Sequence, residues 1–453
     1  MKSLYSFWVG LCLCVFYSTI VYAQPPAHAL KNITIHHADG RISESATIVW
    51  RNGIIEEVGT NVTIPFDAYT IDGGDSLHIY PGFIDGMTVW GSPDLPKNPQ
   101  RPRDPGNPGY ERGGIQPDRE PSEVLKSDSK EFAAAMKAGF TTAALVPKGY
   151  MLPGQVELFM LSEKETVKGV YAELGLAGSF TRAARGAYPS TIMGVMARFR
   201  QLMYDAKALH EHMGYYEQNP NMPVPQSDEV LEDLFPLIEK EAPLFFLANT
   251  REDIEKMLIL KDEFSYDVVV VSGKEAYTMA AELKARDIPV LASIELPDTP
   301  KFYAASKKKQ AAKKKEDTPD SDEGDAEDDD SGKEEQSEEE KAYQEKQLKA
   351  WKEQVHNIKT LKEAGVRVGY ASVDMKIKDL GKHVKTLMEE VGFTEADLIP
   401  FMTTDVAAIL GVENKMGNLE KGKIASFTVF DKPFTEKKAK ALHSISNGQI
   451  FDF

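Results

Sequence analysis

The strongest constraint on the fold is an alternation that begins after residue 240. Leu244-Phe245-Phe246-Leu247-Ala248, Asp267-Val268-Val269-Val270-Val271 and Ile288-Pro289-Val290-Leu291-Ala292 are short, nearly continuous apolar runs. Val366-Arg367-Val368-Gly369-Tyr370-Ala371 is a fourth. Between them lie segments of helical period, Arg251–Phe264, Glu275–Arg286 and Tyr343–Ala364. A strand that is apolar on both faces must be covered on both faces, as parallel strands between helices are. The pattern therefore predicts the helix-then-strand repeat of an α/β barrel.

The first half of the chain carries the same unit less regularly. Glu123–Ala138 has helical period, Gly139 stops it, and Phe140-Thr141-Thr142-Ala143-Ala144-Leu145-Val146-Pro147 reads as a strand. Gln155–Leu161 and Gly169–Ala177 are further strand candidates, and Pro189–Leu209 and Glu229–Lys240 are helices. On the first of these helices, Met193, Met196, Phe199, Leu202 and Met203 form a stripe that reads as core. After the last apolar run come two helices, Lys378–Val391 and Thr394–Leu410, with Thr394 as N-cap. Ser92 to Pro121, rich in Pro, Gly, Arg and Asp, is an irregular loop placed to cover the barrel mouth.

Both ends of the chain read differently. Within 29–79, Asp39-Gly40 and Asn52-Gly53 mark hairpins between short β-type runs. Residues 415–453 return to turns and strands. The expected organisation is a composite β-sandwich from 24–79 plus 413–453, enclosing a barrel over 80–412.

Charge is concentrated in one place. The formal net charge is −17, and residues 316–340 hold fifteen acids and one Lys, a net of −14, which leaves −3 for the remainder. No basic face is implied, so a nucleic-acid partner is not expected. The surrounding segment 304–342, Lys-rich and then acidic, buries too little apolar surface to offset ordering and is predicted to be disordered.

The N-terminus reads as an export signal over 1–23. Lys2 supplies the positive start, Leu4–Val21 is mostly apolar, and Val21-Tyr22-Ala23 resembles a cleavage site. A membrane anchor is the alternative, although Gly10, Tyr17, Ser18 and Thr19 interrupt the apolar run. The expectation is a periplasmic or secreted protein with no membrane contact after cleavage. Cys12 and Cys14 both fall within this segment, so the mature chain would have neither a disulfide nor a thiolate ligand.

Several local patterns, taken together, resemble the amidohydrolase superfamily, in its imidazolonepropionase-like and dihydroorotase-like branch. Asn52-Gly53-Ile54-Ile55-Glu56-Glu57-Val58-Gly59 looks like the opening hairpin, and Tyr80-Pro81-Gly82-Phe83-Ile84-Asp85 like the entry to the barrel. Met402-Thr403-Thr404-Asp405-Val406-Ala407-Ala408-Ile409-Leu410-Gly411-Val412 is similar to the helix after the last barrel strand. Met416-Gly417-Asn418-Leu419-Glu420-Lys421-Gly422-Lys423 is similar to the return to the β-domain. The resemblance implies a TIM-type (β/α)8 barrel, with room for distortion, and hydrolysis of C–N or C–O bonds by one or two divalent metals at the C-terminal mouth.

That chemistry needs imidazole, carboxylate or thiolate donors for a metal that activates water. The family's His-x-His on the first strand falls here on Met87 and Val89, which cannot supply it. Its later histidines correspond to Asn249 and Ser272. The last-strand acid corresponds to Asp374, while Lys148 and Lys168 are positional candidates for the bridging lysine. His210-Glu211-His212 is the one His-x-His, but it lies at a helix end, where residues two apart do not face each other. His36-His37 reads as surface of the β-domain. Asp85 is either a remaining acid of the mouth or a structural acid, the latter slightly favoured. Neither a G-x-S-x-G elbow nor a phosphate loop is present.

Two readings follow. One is a non-catalytic relative that binds a small molecule, or serves as partner to an active amidohydrolase paralogue or to a second copy of itself. The other is a hydrolase of cyclic amides or other C–N bonds with a rebuilt site at Asp85, Asp374 and Lys148, where Arg182 and Arg185 hold an anionic group. No cofactor is expected on the first reading, and a divalent metal such as zinc only if the site is rebuilt.

Overall fold

The computed structural model describes residues 24–97, 99–162, 170–316, 337–373 and 375–453. The predicted export signal 1–23, Lys168, Asp374 and the stretch 317–336 of the acidic run lie outside them.

Five strands open the chain: β1 (His28–His36), β2 (Ile42–Arg51), β3 (Ile54–Gly59), β4 (Tyr69–Asp72) and β5 (His78–Pro81). Eight more form the barrel: β6 (Phe83–Thr88), β7 (Phe140–Leu145), β8 (Gln155–Met160), β9 (Val170–Ser179), β10 (Leu244–Ala248), β11 (Val268–Ser272), β12 (Val290–Ala292) and β13 (Val368–Tyr370). Three close the chain: β14 (Phe427–Phe430), β15 (Ala441–Ser446) and β16 (Gln449–Asp452).

The two ends of the chain build one composite sheet in the order β16-β15-β14-β5-β1-β2-β3, with β4 also pairing β1. Its tightest feature is a meeting of two hairpin tips. Asn52-Gly53 and Asn447-Gly448 all have positive φ, as two-residue hairpin loops require. The tips pack so closely that a Cβ on Gly448 would lie 2.6 Å from Gly53 Cα. Trp50, 1% exposed, seals this region by donating its indole N–H to Gly448 O at 3.0 Å.

The barrel strands follow one another from β6 to β13, and a parallel bridge between Thr88 and Val373 joins the two ends. All neighbours are parallel except at β8, which runs antiparallel to both β7 and β9. A parallel partner needs a crossover of about a dozen residues or more, and the segment 146–154 is too short for one. The regular helix–strand repeat is therefore confined to β9 onward. The helix expected over Glu123–Ala138 forms over Lys130–Lys137 after a short turn at Pro121–Val124.

The long helix runs over Ile192–Gln218, further than the apolar stripe indicates. Phe199, Leu202 and Met203 are buried in it, but Met193 is 81% exposed, at the helix start beside a cleft described below. At the flanks of the segment predicted to be disordered, the structure has helices over Lys301–Glu316 and Glu338–Val355. Lys307 pairs with Glu390, and Tyr303 donates to the same carboxylate at 3.1 Å. These tertiary partners supply what the local sequence lacks.

The composite sheet is joined to the barrel by a polar cluster in an aromatic setting. His36, expected at the surface, is 5% exposed. Its ring stacks on Tyr80, and its two nitrogens meet Glu395 at 3.2 Å and His78 at 2.9 Å. Glu395 also accepts from Thr435 at 2.6 Å and from Tyr80. Thr394 stands at the start of the helix Glu395–Met402, where its N–H donates to Asp397 at 2.8 Å.

Candidate ligand cleft at the barrel mouth

The loop after β6 covers one side of the mouth. Ile115 bridges to Leu152, and Arg119 donates to the carbonyls of Lys148 and Pro153 at 3.1 and 3.2 Å. Met87 is 5% and Trp90 4% exposed, and both belong to the main hydrophobic core, with Val89 half-buried against it. The same face of the mouth is fastened from below. Asp85 is fully buried, and its Oδ1 accepts the N–H of Met87 at 3.2 Å and of Ser372 at 3.0 Å. Thr88 donates to Val373 O at 3.1 Å and receives the Ser372 hydroxyl at 2.9 Å. These bonds tie the first barrel strand to the last. Val373 sits at φ +56, a strained conformation for a β-branched residue. Asp85 Oδ2 has no partner. Burial raises the carboxyl to about 7, against the lowering effect of Ser372 and the Met87 N–H. The structure thus gives Asp85 the surroundings of a structural acid.

The opposite side of the mouth is open. A cleft of about 600 Å³ lies past the ends of β10, β11 and β12, bordered by Asn249, Lys274, Glu295, Asp298, Lys382 and His383. Lys274 pairs with Glu295 at 2.5 Å and Lys382 with Asp298 at 2.9 Å. A second cleft of about 720 Å³ adjoins it at Asn249, with Phe180, Leu247, Ile192, Arg182 and Asp253 around it. Asn249 stands between the two because Thr250 immediately caps the helix Arg251–Phe264, turning the chain sharply at the strand end. Its Oδ1 is buried and has no partner. Ser272 is 2% exposed, and its φ of +71 turns the chain out of β11.

The structure brings only part of the predicted set together. Arg182 and Asn249 border one cleft, whereas Arg185 is exposed and borders neither cleft, and Asp85 is sealed beneath the other side. Lys148 pairs with exposed Asp94 at 2.8 Å. His210 meets Glu239 at 2.7 Å and His212 meets Pro223 O at 3.2 Å, so the two rings have separate partners. Sequence reasoning passed over Lys274, Glu295 and His383. Lys274 and Glu295 each fall three residues beyond the apolar runs that mark β11 and β12, a position that would have pointed to them. His383 lies inside the helix Leu380–Thr386, and only its packing brings it to the cleft.

With this geometry, three comparisons bear on the class of protein. Residues 337–451 match the Amidohydrolase family. The fold is similar to that of an amidohydrolase from Thermotoga maritima MSB8, with a TM-score of 0.73 and 19% identity, covering 94% of this chain and 100% of that one. It is similar also to a prolidase solved with N-methylphosphonate-L-proline, with a TM-score of 0.51, 13% identity and coverage of 94% and 99%. A comparison with curated protein sequences found no match. The family match covers the C-terminal quarter of the chain, and the likeness to the solved structures shows a shared TIM-barrel fold.

The residues that the resemblance assigns to metal-ligand positions do not fit a zinc ion. Met87, Val89, Asn249 and Ser272 offer a thioether, an isopropyl group, an amide and a hydroxyl, none of them a good zinc donor. Among the described residues no group of three or more His, Cys, Asp or Glu side chains could hold a metal ion.

Proposed function

We propose that this chain is an exported, non-catalytic member of the amidohydrolase superfamily whose barrel mouth binds a small molecule, alone or as partner to an active paralogue or a second copy. The observation that carries the reading is the side-chain chemistry of four strand-end positions, Met87, Val89, Asn249 and Ser272. Packing supports it, because Met87 and Trp90 belong to the hydrophobic core on one side while the open clefts lie on the other. Metal analysis of purified protein is the test. Less than one equivalent is expected, and one equivalent or more of tightly bound zinc, manganese or iron refutes the reading.

A second reading, a hydrolase of cyclic amides or other C–N bonds, draws on Asp85. A carboxyl raised to about 7 is matched to general-base work at neutral pH. Its complete burial counts against substrate access. This reading requires turnover of cyclic imides or amides that disappears in Asp374→Asn; no turnover across a broad C–N panel removes it.

A further inference from the structure

We infer that the cleft between Asn249 and His383 takes a protonated amine that also carries an amide. The inference rests on the ligand-binding reading above and names the chemistry of its site.

His383 is 6% exposed and lines the cleft. Its Nδ1 accepts the N–H of Leu296 at 3.3 Å, so the neutral ring must carry its proton on Nε2. That N–H has no partner among the described residues. Burial, and then the positive charge of Lys382, hold the ring below the usual histidine range, which keeps it neutral and limits it to this one donor. Asn249 borders the same cleft, and its Oδ1 is a buried acceptor with no partner. An unmet donor and an unmet acceptor on one cleft match the C=O and N–H of an amide.

The charges select the rest of the ligand. The lining contains two lysines, Lys274 and Lys382, and four acids, Glu275, Glu295, Asp298 and Asp379, a net of 2 − 4 = −2. Both lysines are held in ion pairs, with Glu295 and Asp298. Of the remaining acids, Glu275 accepts the N–H of Arg251 at 3.1 Å. Asp379 makes no side-chain bond among the described residues. A cation is therefore favoured over an anion.

Calorimetric titration of the full chain with three probes tests this: glycylglycinamide, a cation; N-acetylglycinamide, neutral; and N-acetylglycylglycine, an anion. Glycylglycinamide is expected to bind at least about tenfold more tightly than the anion. Asn249→Leu and His383→Phe should each weaken it about tenfold, and His383→Gln, which retains a donor, less. Asp379→Asn, at a half-exposed position with no side-chain bond among the described residues, should erase the preference for the cation. Equal or tighter binding of the anion overturns the inference, as does no binding of any probe up to about 10 mM. Affinity unchanged in both Asn249→Leu and Asp379→Asn also overturns it. Metal content and turnover of the same preparation judge the non-catalytic reading separately, so a metal-free, inactive protein that ignores all three probes loses only the ligand class.

Discussion

Replacing Asp85 by Asn should make the protein's stability less sensitive to pH. The carboxylate is fully buried, and its two good bonds are the N–H groups of Met87 and Ser372 on Oδ1, leaving Oδ2 with no partner. Burial raises its pKa from 3.8 to about 7. A shift of about three units corresponds to roughly 4 kcal/mol at about 1.4 kcal/mol per unit. The sign follows from proton binding. Well below the unfolded value of 3.8, the folded and unfolded chains both carry the proton and nothing is lost. As pH rises toward 7 the unfolded chain ionises while the folded chain retains its proton, so stability falls; above about 7 the full cost is present. Between pH 5 and pH 8 this group should remove about 3 kcal/mol from the wild type. In Asp85→Asn the amide oxygen still accepts from Met87 and Ser372, and no charge is buried. The unpartnered amide N–H costs roughly 1–3 kcal/mol at every pH and cancels in the comparison. Urea midpoints and slopes, measured by tryptophan fluorescence at the two pH values, give the difference between variant and wild type. It should move in favour of the variant by about 3 kcal/mol from pH 5 to pH 8. A difference constant to within about 0.5 kcal/mol would refute a buried, proton-retaining Asp85.

Three further outcomes are expected. Met87→His with Val89→His should bind no stoichiometric zinc, because Asn249 and Ser272 remain poor donors; a full equivalent after dialysis against a weak chelator contradicts the ligand argument. Gly86→Ala would place a Cβ 2.6 Å from Leu291 Cδ2 and 2.7 Å from the Tyr370 carbonyl, so a loss of about 1–3 kcal/mol or more is expected in urea unfolding, and a neutral result would mean that the backbone there gives way easily. Glu395→Ala removes the acceptor shared by His36, Tyr80 and Thr435, and should cost about 2–4 kcal/mol; a loss below about 0.5 kcal/mol would show that the cluster does not join the β-domain to the barrel.

Much of the fold was legible because it follows from local periods. Continuous apolar runs such as Val268–Val271 admit little but a buried strand, and Asn52-Gly53 admits little but a tight hairpin. The antiparallel β8 was not legible, since Gln155–Met160 has the composition of a strand in either direction and only the short connection before it sets the sense. His36 was misread for a similar reason. Beside His37 it looks like surface, and its burial comes from Tyr80, His78 and Glu395, of which the last lies hundreds of residues away along the chain.

The candidate site divides in the same way. What the sequence alone determined is chemical: Met87, Val89, Asn249 and Ser272 offer no good zinc donor in any conformation, because donor chemistry is a property of the residue. What only the tertiary structure decided is positional. It buried Asp85 and Met87, opened a cleft past β10–β12, and brought His383 from a helix to the cleft that Asn249 borders from a strand end. Burial and the pairing of distant donors and acceptors depend on how the strands close into a barrel, and no local pattern in the chain carries that information.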